Sequence, residues 1–349
     1  MLYAVLCYIA ASEVLFVAQI SRHGARSPKQ VFEFNKSVWP KDSLKSLTAL
    51  GLKQHYELGS RLAHKYNLTL SGVSILSSNT SRTYASAWAQ ALGVLLDSNP
   101  FTHLNSTYTV SGTTQNSLKT TLGLEVPLLP VYSEPKGKEF ILHNYKSEMC
   151  AKISQIKQKI KNSQAFLSKE AEQKEFLKRI SLKTGENLSS IRKACQYHGS
   201  LDSHLAHNFT IPLSTPDYDS LANLHAWTMH YFPFSDELVL KISCAHLFRD
   251  ILKHLDYSLS GGRIKLRSYV GHDNTLIAVS KCLKSEITEQ PPYSANFLFE
   301  VYKNYTLKVY YQNKELRLPY CHWPCLVSDI KRHFSNFKYQ PRICSEAAI

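Results

Sequence analysis

Beyond its first dozen residues the 349-residue chain has no apolar run long enough to cross a bilayer as a helix, which excludes a membrane-spanning segment there and points to a soluble mature protein. It has no internal repeat and no low-complexity tail, which excludes a repeat array and a disordered extension. Acidic residues are few, 27 against 41 Lys and Arg, giving a formal net charge of +14. The basic residues are scattered rather than gathered, and no nucleic-acid-binding motif accompanies them, so nucleic acid is not an expected partner. The one dense tract, near Lys152 to Lys161, reads as a solvated helix face. A general positive field suits small anionic substrates. Cys321-His322-Trp323-Pro324-Cys325 offers half of a metal site, but no second Cys/His pair at suitable spacing completes it. No metal and no cofactor are expected, and a short disulfide is the better reading of Cys321 and Cys325.

Residues 1–12 are apolar and small, with Ala10, Ala11 and Ser12 near a cleavage point, and resemble a short signal peptide that lacks its starting Lys or Arg. A first strand is the competing reading. Eight cysteines, and Asn-x-Ser/Thr sequons at Asn35, Asn67, Asn79, Asn105, Asn187, Asn208 and Asn304, point to an oxidising, glycosylating compartment. Removal of Cys7 with a leader leaves an odd number of cysteines, so one is free or pairs between chains.

The chain is organised around residues 14–28. The run 14–20 is apolar and rich in β-branched residues, as a strand buried on both faces requires. It ends in Arg22-His23-Gly24-Ala25-Arg26-Ser27-Pro28, which belongs on a loop at the strand's carboxyl end, where open α/β sheets place ligands. Residues 47–66 read as a helix with Leu52, Tyr56, Gly59, Leu62, Ala63 and Tyr66 on one face, and Gly51 and Gly59 imply close packing. The strand 73–77 follows, then a polar loop carrying Arg82 and a helix with Ala85, Trp88, Leu92 and Leu95 on its apolar face. Composition changes over 127–237. Ile153, Ile156 and Ile160 make one amphipathic helix, and Thr215-Pro216-Asp217 opens another. A helix over 238–255, a strand over 264–270, the cluster Gly271-His272-Asp273, a helix over 275–283 and a hairpin around 303–305 complete the pattern. The expected fold is a mixed, mostly parallel α/β sheet with helices on both faces. A smaller helical cap, 127–237, is inserted between core segments 13–126 and 238–349.

Three strand ends thus converge, carrying Arg22, His23 and Arg26, then Arg82, then His272 and Asp273. Guanidinium groups match phosphate oxygens in a two-pronged manner. A histidine among them is held neutral and nucleophilic. Asp273 fits a general acid for a leaving oxygen. In isolation His23 could equally satisfy a loop, and Arg82 could be a surface residue.

These residues resemble the histidine acid phosphatase family. The resemblance runs through Arg22-His23-Gly24-Ala25-Arg26-Ser27-Pro28, Thr48, Gly51, Gln54, Leu58, Gly59, Ser81-Arg82-Thr83, Gly271-His272-Asp273 and Pro292-Tyr293-Ser294-Ala295. His207-Asn208-Phe209-Thr210 is similar to the animal lysosomal and prostatic branch. The resemblance implies an acid phosphatase acting on small phosphate monoesters, with His23 as nucleophile, Asp273 as proton donor, and Arg22, Arg26, Arg82 and His272 holding phosphate. It also implies no metal, a secreted or lysosomal location, homodimers, and disulfides Cys150–Cys344 and Cys321–Cys325. Asn296 departs from the family's usual Cys, and Cys195 and Cys282 align with nothing in it. Two other readings stay open: an inositol-phosphate or lysophospholipid phosphatase of the same family, and an inactive glycosylated binding protein.

Overall fold

The structure is a computed structural model. It describes residues 13–97, 118–119, 125–126, 129–143, 146, 150–285 and 287–337. The leader expected at 1–12, Cys7, Asn105 and Cys344 lie outside the described residues.

The organising run forms β1 (Val14–Arg22), buried from Phe16 onward. Its side chains alternate between two cores: Phe16, Ala18 and Ile20 enter one, and Val17 enters the other. That division is what a strand packed on both faces produces. The chain continues through α1 (Ala49–Tyr66), β2 (Val73–Ser77) and α2 (Ser81–Asp97). A small antiparallel pair, β3 (Leu118–Lys119) and β4 (Glu125–Val126), precedes β5 (Val131–Ser133). Then come α3 (Ala151–Lys161), α4 (Gln164–Thr184), α5 (Ile191–Leu205), α6 (Thr215–Tyr231) and α7 (Glu237–Leu259). The last part holds β6 (Leu266–Gly271), α8 (Asp273–Cys282), β7 (Asn296–Tyr302), β8 (Leu307–Tyr311), β9 (Lys314–Leu316) and α9 (Val327–Ser335).

The main sheet runs β5-β2-β6-β1-β7-β8-β9. It is parallel from β5 to β1 and antiparallel beyond. Helices α1 and α2 cover one face, and α7, α8 and α9 cover the other. The β1/β6 register pairs Arg22 with Gly271, and β2/β6 pairs Ser77 with Val270. Three carboxyl ends therefore finish at one level of the sheet. Among the described residues no helix is long and apolar enough to cross a membrane.

Several expectations are corrected. Helix α1 buries His55 and Leu58 with Gly59, Leu62, Ala63 and Tyr66, whereas Leu52 and Tyr56 are exposed. His55 is drawn inward by a hydrogen bond to the Arg22 carbonyl (2.9 Å). On α2, Leu92 is exposed, and small residues, Ala87 and Ala91, are buried instead. Close approach of the two helices requires this: a Cβ on Gly59 would lie 2.0 Å from the Gln90 carbonyl oxygen. Helix α6 is capped one residue earlier than expected, at Ser214, with Pro216 in its first turn. The stretch 127–237 is not wholly an insertion. Strand β5 pairs with β2 in the main sheet, and α3 packs Ile156 and Ile160 into the sheet's own core. A separate core, including Leu177, Ile180, Tyr197, Leu201 and Leu221, begins with α4.

Cys321 and Cys325 are joined, as expected, so they offer no thiolates to a metal. Cys244 pairs with Cys282, which joins α7 to α8, and Cys195 is free. Cys150 is disulfide-bonded.

Helix α5 is clasped to the segment that follows the central loop. Asn35 donates through Nδ2 to Ser200 Oγ (2.8 Å), and Trp39 Nε1 donates to His204 Nδ1 (3.3 Å). The rings of Phe32 and Phe34 pack edge-on against Tyr197.

Candidate active site

The loop after β1 is held by its backbone. Arg22 N donates to the Ala295 carbonyl (2.9 Å), and His23 N donates to that of Gly271 (3.0 Å). Gly24 N reaches Ser86 Oγ (3.1 Å), and Ala25 N reaches Gln54 Oε1 (2.8 Å). The start of α1 sits directly against this loop: a Cβ on Gly24 would lie 2.3 Å from the Gly51 carbonyl oxygen, and one on Gly51 2.1 Å from that of Ala25. Only glycine allows backbones this close.

His23 is buried. Its Nδ1 lies 2.8 Å from the Gly24 carbonyl oxygen, which can only accept, so Nδ1 carries the proton. The Nε2 lone pair is left available. Burial, followed by the charges of Arg22, Arg82 and Arg26, holds the imidazole well below its usual pKa, so it stays neutral.

Arg22 is buried, with Nη1 donating to the Pro291 carbonyl (2.6 Å) and its guanidinium 4.1 Å from the centre of the Tyr293 ring. Its Nη2 lies 3.5 Å from Asp273 Oδ2. Arg26 is buried too, with Nη1 on the Ser27 carbonyl (2.7 Å). The Nε atoms of Arg22 and Arg26 are buried without a hydrogen-bond partner among the described residues. Unpaired buried donors are costly, and an anion would satisfy them.

Arg82 stands in the first turn of α2, and its Nη2 donates to His272 Nδ1 (3.1 Å). His272 Nε2 therefore carries the proton and donates to Ser78 Oγ (2.9 Å). Burial, then the neighbouring His143 and Arg82, hold His272 well below its usual pKa. Asp273 opens α8. Burial pushes its carboxyl up, but Arg22, Lys29, His23 and the Asn274 N–H outweigh that and hold it below the usual carboxylate range. All six residues singled out in the sequence thus meet in one place. Arg22, Arg26 and Asp273 line a cleft of about 630 Å³ whose far walls come from α3, α5 and α6.

Four neighbours carried no sequence-derived role. Lys29 lines the same cleft, and its place just after Arg26 was the available signal. Tyr293 lies beneath Arg22. The His143 ring stacks on His272, with centroids 4.3 Å apart, and its Nδ1 donates to the buried carboxylate of Glu139 (2.9 Å). No local pattern in the sequence marks either of those last two.

Known proteins share the sequence pattern and the fold of this chain. Over 340 residues the chain is 24% identical to the lysosomal acid phosphatase of Xenopus laevis, spanning 92% of this chain and 74% of that protein. It is 26% identical over 333 residues to human prostatic acid phosphatase, spanning 89% and 81%. Among solved structures it is similar in fold to the phytase of Citrobacter braakii, with a TM-score of 0.65, 13% identity, and coverage of 94% of this chain and 98% of that one. The model of the histidine phosphatase superfamily (branch 2) matches residues 13–318, and the chain belongs to that family.

Proposed function

We propose that this chain is an acid phosphatase that hydrolyses phosphate monoesters through a phosphohistidine. The observation that carries the reading is the tautomer of His23: Nδ1–H is tied to the Gly24 carbonyl, so Nε2 presents its lone pair amid three arginines. In the first step Nε2 attacks phosphorus and the bond from phosphorus to the ester oxygen breaks. That oxygen takes the electron pair and a proton from Asp273. In the second step water attacks the phosphohistidine and gives its proton to Asp273. The N–P bond breaks, its electrons return to Nε2, and inorganic phosphate leaves. Arg22, Arg26 and Arg82 hold the equatorial oxygens and offset their charge, and His272 orients Arg82 by accepting from its Nη2.

The resting ionisation of Asp273 accounts for an acidic optimum. A phosphate monoester loses its second proton near about pH 6. Below that it arrives as a monoanion, and on binding its proton passes to Asp273 as Arg22 turns from carboxylate to phosphate. Helices α4, α5 and α6, with the outward face of α3, serve as a cap that selects the leaving group. Two disulfides within the described residues support a secreted or lysosomal location.

The test is metal-free hydrolysis of phenyl phosphate over about pH 4 to pH 8, wild type beside His23→Ala. Turnover that is greatest in acid and absent from His23→Ala is expected. A folded wild type inert toward phenyl phosphate and toward a panel of natural phosphate esters would overturn the reading.

A further inference from the structure

The lysine-rich tract that reads as a solvated face in the sequence does not face solvent alone. Helix α3 buries Ile153, Ile156 and Ile160. It turns Ser154, Lys157, Gln158 and Lys161 toward the cleft, the spacing of one helical face. Arg192, in the first turn of α5, joins them on the same wall. These three cations are additional to Arg22, Arg26 and Lys29 at the catalytic end. Asp202 and Asp273 are the acidic residues lining the cleft among the described residues.

The two ends are well separated. Asp202, with Arg22 and Gln290, also borders an adjoining hollow, which puts it at the Arg22 end. Arg192 precedes it by three turns of α5, about 15 Å along the helix axis. Between them the wall carries Cys195, Gln196 and Gly199 of α5 with Thr228 and Met229 of α6, while Phe232 and Phe166 flank the cation end, Phe232 with its ring centre 5.6 Å from Lys161 Nζ. Gly199, midway along α5, leaves this stretch wide: a Cβ there would meet nothing within 4 Å.

We infer that the cap carries a second anion subsite, formed by Lys157, Lys161 and Arg192. The substrate class it fits is an elongated phosphomonoester whose leaving group bears a second phosphate beyond a spacer that is apolar at its far end. The reacting phosphate sits at His23, the spacer runs along α5 past Gly199 to the aromatic rings of Phe166 and Phe232, and the distal phosphate meets the three cations. The inference rests on the phosphatase reading above and deepens it. Guanidinium and ammonium donors give charge-assisted bonds to the distal phosphate.

The probes are phenyl phosphate, para-phenylene bisphosphate and its longer biphenylene homologue. The readout is the ratio of kcat/KM for each bisphosphate to that for phenyl phosphate, corrected for the two equivalent phosphates. In the wild type the biphenylene ratio is expected to reach about tenfold or more, a single charge-assisted contact being enough for that. It should exceed the phenylene ratio and fall more steeply with salt than phenyl phosphate turnover does. In the double variant Lys161→Gln/Arg192→Gln the ratio should collapse toward one. Both side chains are exposed, so folding is not at stake. A wild-type ratio near one, or a ratio the variant does not change, overturns the subsite. Phenyl phosphate turnover reports separately on the phosphatase reading. Calorimetric binding of the two esters to His23→Ala tests the subsite without turnover; equal affinity for phenyl phosphate and biphenylene bisphosphate would sink it.

Discussion

His55 should control part of the protein's response to acid. It is fully buried in α1, and its Nε2–H donates to the carbonyl of Arg22, at the root of the loop after β1. Burial lowers its pKa from 6.5 to about 4, although its bond to the Arg22 carbonyl resists the fall. The unfolded chain binds the proton near pH 6.5, but the native protein refuses it until about pH 4. Between those values the unfolded state holds more protons, so native stability declines as pH falls. At about 1.4 kcal/mol for each pH unit, the loss from this one side chain reaches about 3 kcal/mol near pH 4. His55→Gln retains an N–H that can reach the carbonyl and removes the titration. Its packing loss is independent of pH, so the readout is a slope. Urea unfolding of both proteins should be followed at about pH 7, 5.5 and 4. The stability advantage of the wild type should shrink by about 3 kcal/mol from the highest pH to the lowest. A difference that stays constant across the series would refute the assignment.

Three further outcomes are expected. Asp273→Asn should slow alkyl phosphates by about a hundredfold or more, and para-nitrophenyl phosphate far less, because only the poor leaving group needs the proton; equal losses in steady-state kinetics would argue against Asp273 as the acid. Gly51→Ala would place a Cβ 2.1 Å from the Ala25 carbonyl oxygen, so the loop must shift and kcat/KM should fall by about a hundredfold; an unchanged value would show that the close contact is dispensable. After expression through a glycosylating secretory route, peptide mapping should find no glycan on Asn35, which is buried with its amide on Ser200, while Asn67, Asn187, Asn208 and Asn304 are exposed.

What the sequence revealed about the fold depended on whether one physical cause acted alone. Residues 14–20 were legible because both faces of β1 are buried, so every position carries the same apolar signal. The convergence of Arg22, His23, Arg26, Arg82, His272 and Asp273 followed from three strand ends in register. The buried face of α1 was misread because His55, polar by composition, is buried for a single hydrogen bond, while Leu52 and Tyr56 remain outside. The face of α2 was misread for a related reason: contact with α1 selects small residues, so Leu92 is turned outward. The boundary at 127 failed because β5 is only three residues long and gives no periodic signal. Lys157 and Lys161 fit the amphipathic pattern of α3 equally well facing water or a cleft. His143 and Glu139 reach the site through His272 and Asn79, far from them in the chain, so nothing local announces them.

The clasp between α5 and residues 32–39 has a kinetic consequence. The roof of the cleft is fastened to the very segment that leads away from the His23 loop, through Asn35, Trp39 and two phenylalanine rings. Thr48, the cap residue of α1, adds a contact to His207 Nε2 at 2.8 Å. Swinging that roof aside would drag the reacting loop out of alignment with β6. The clasp therefore opposes an opening motion of the entrance. The expected consequence is selection of a molecule by its cross-section at entry, with release of product independent of an opening motion.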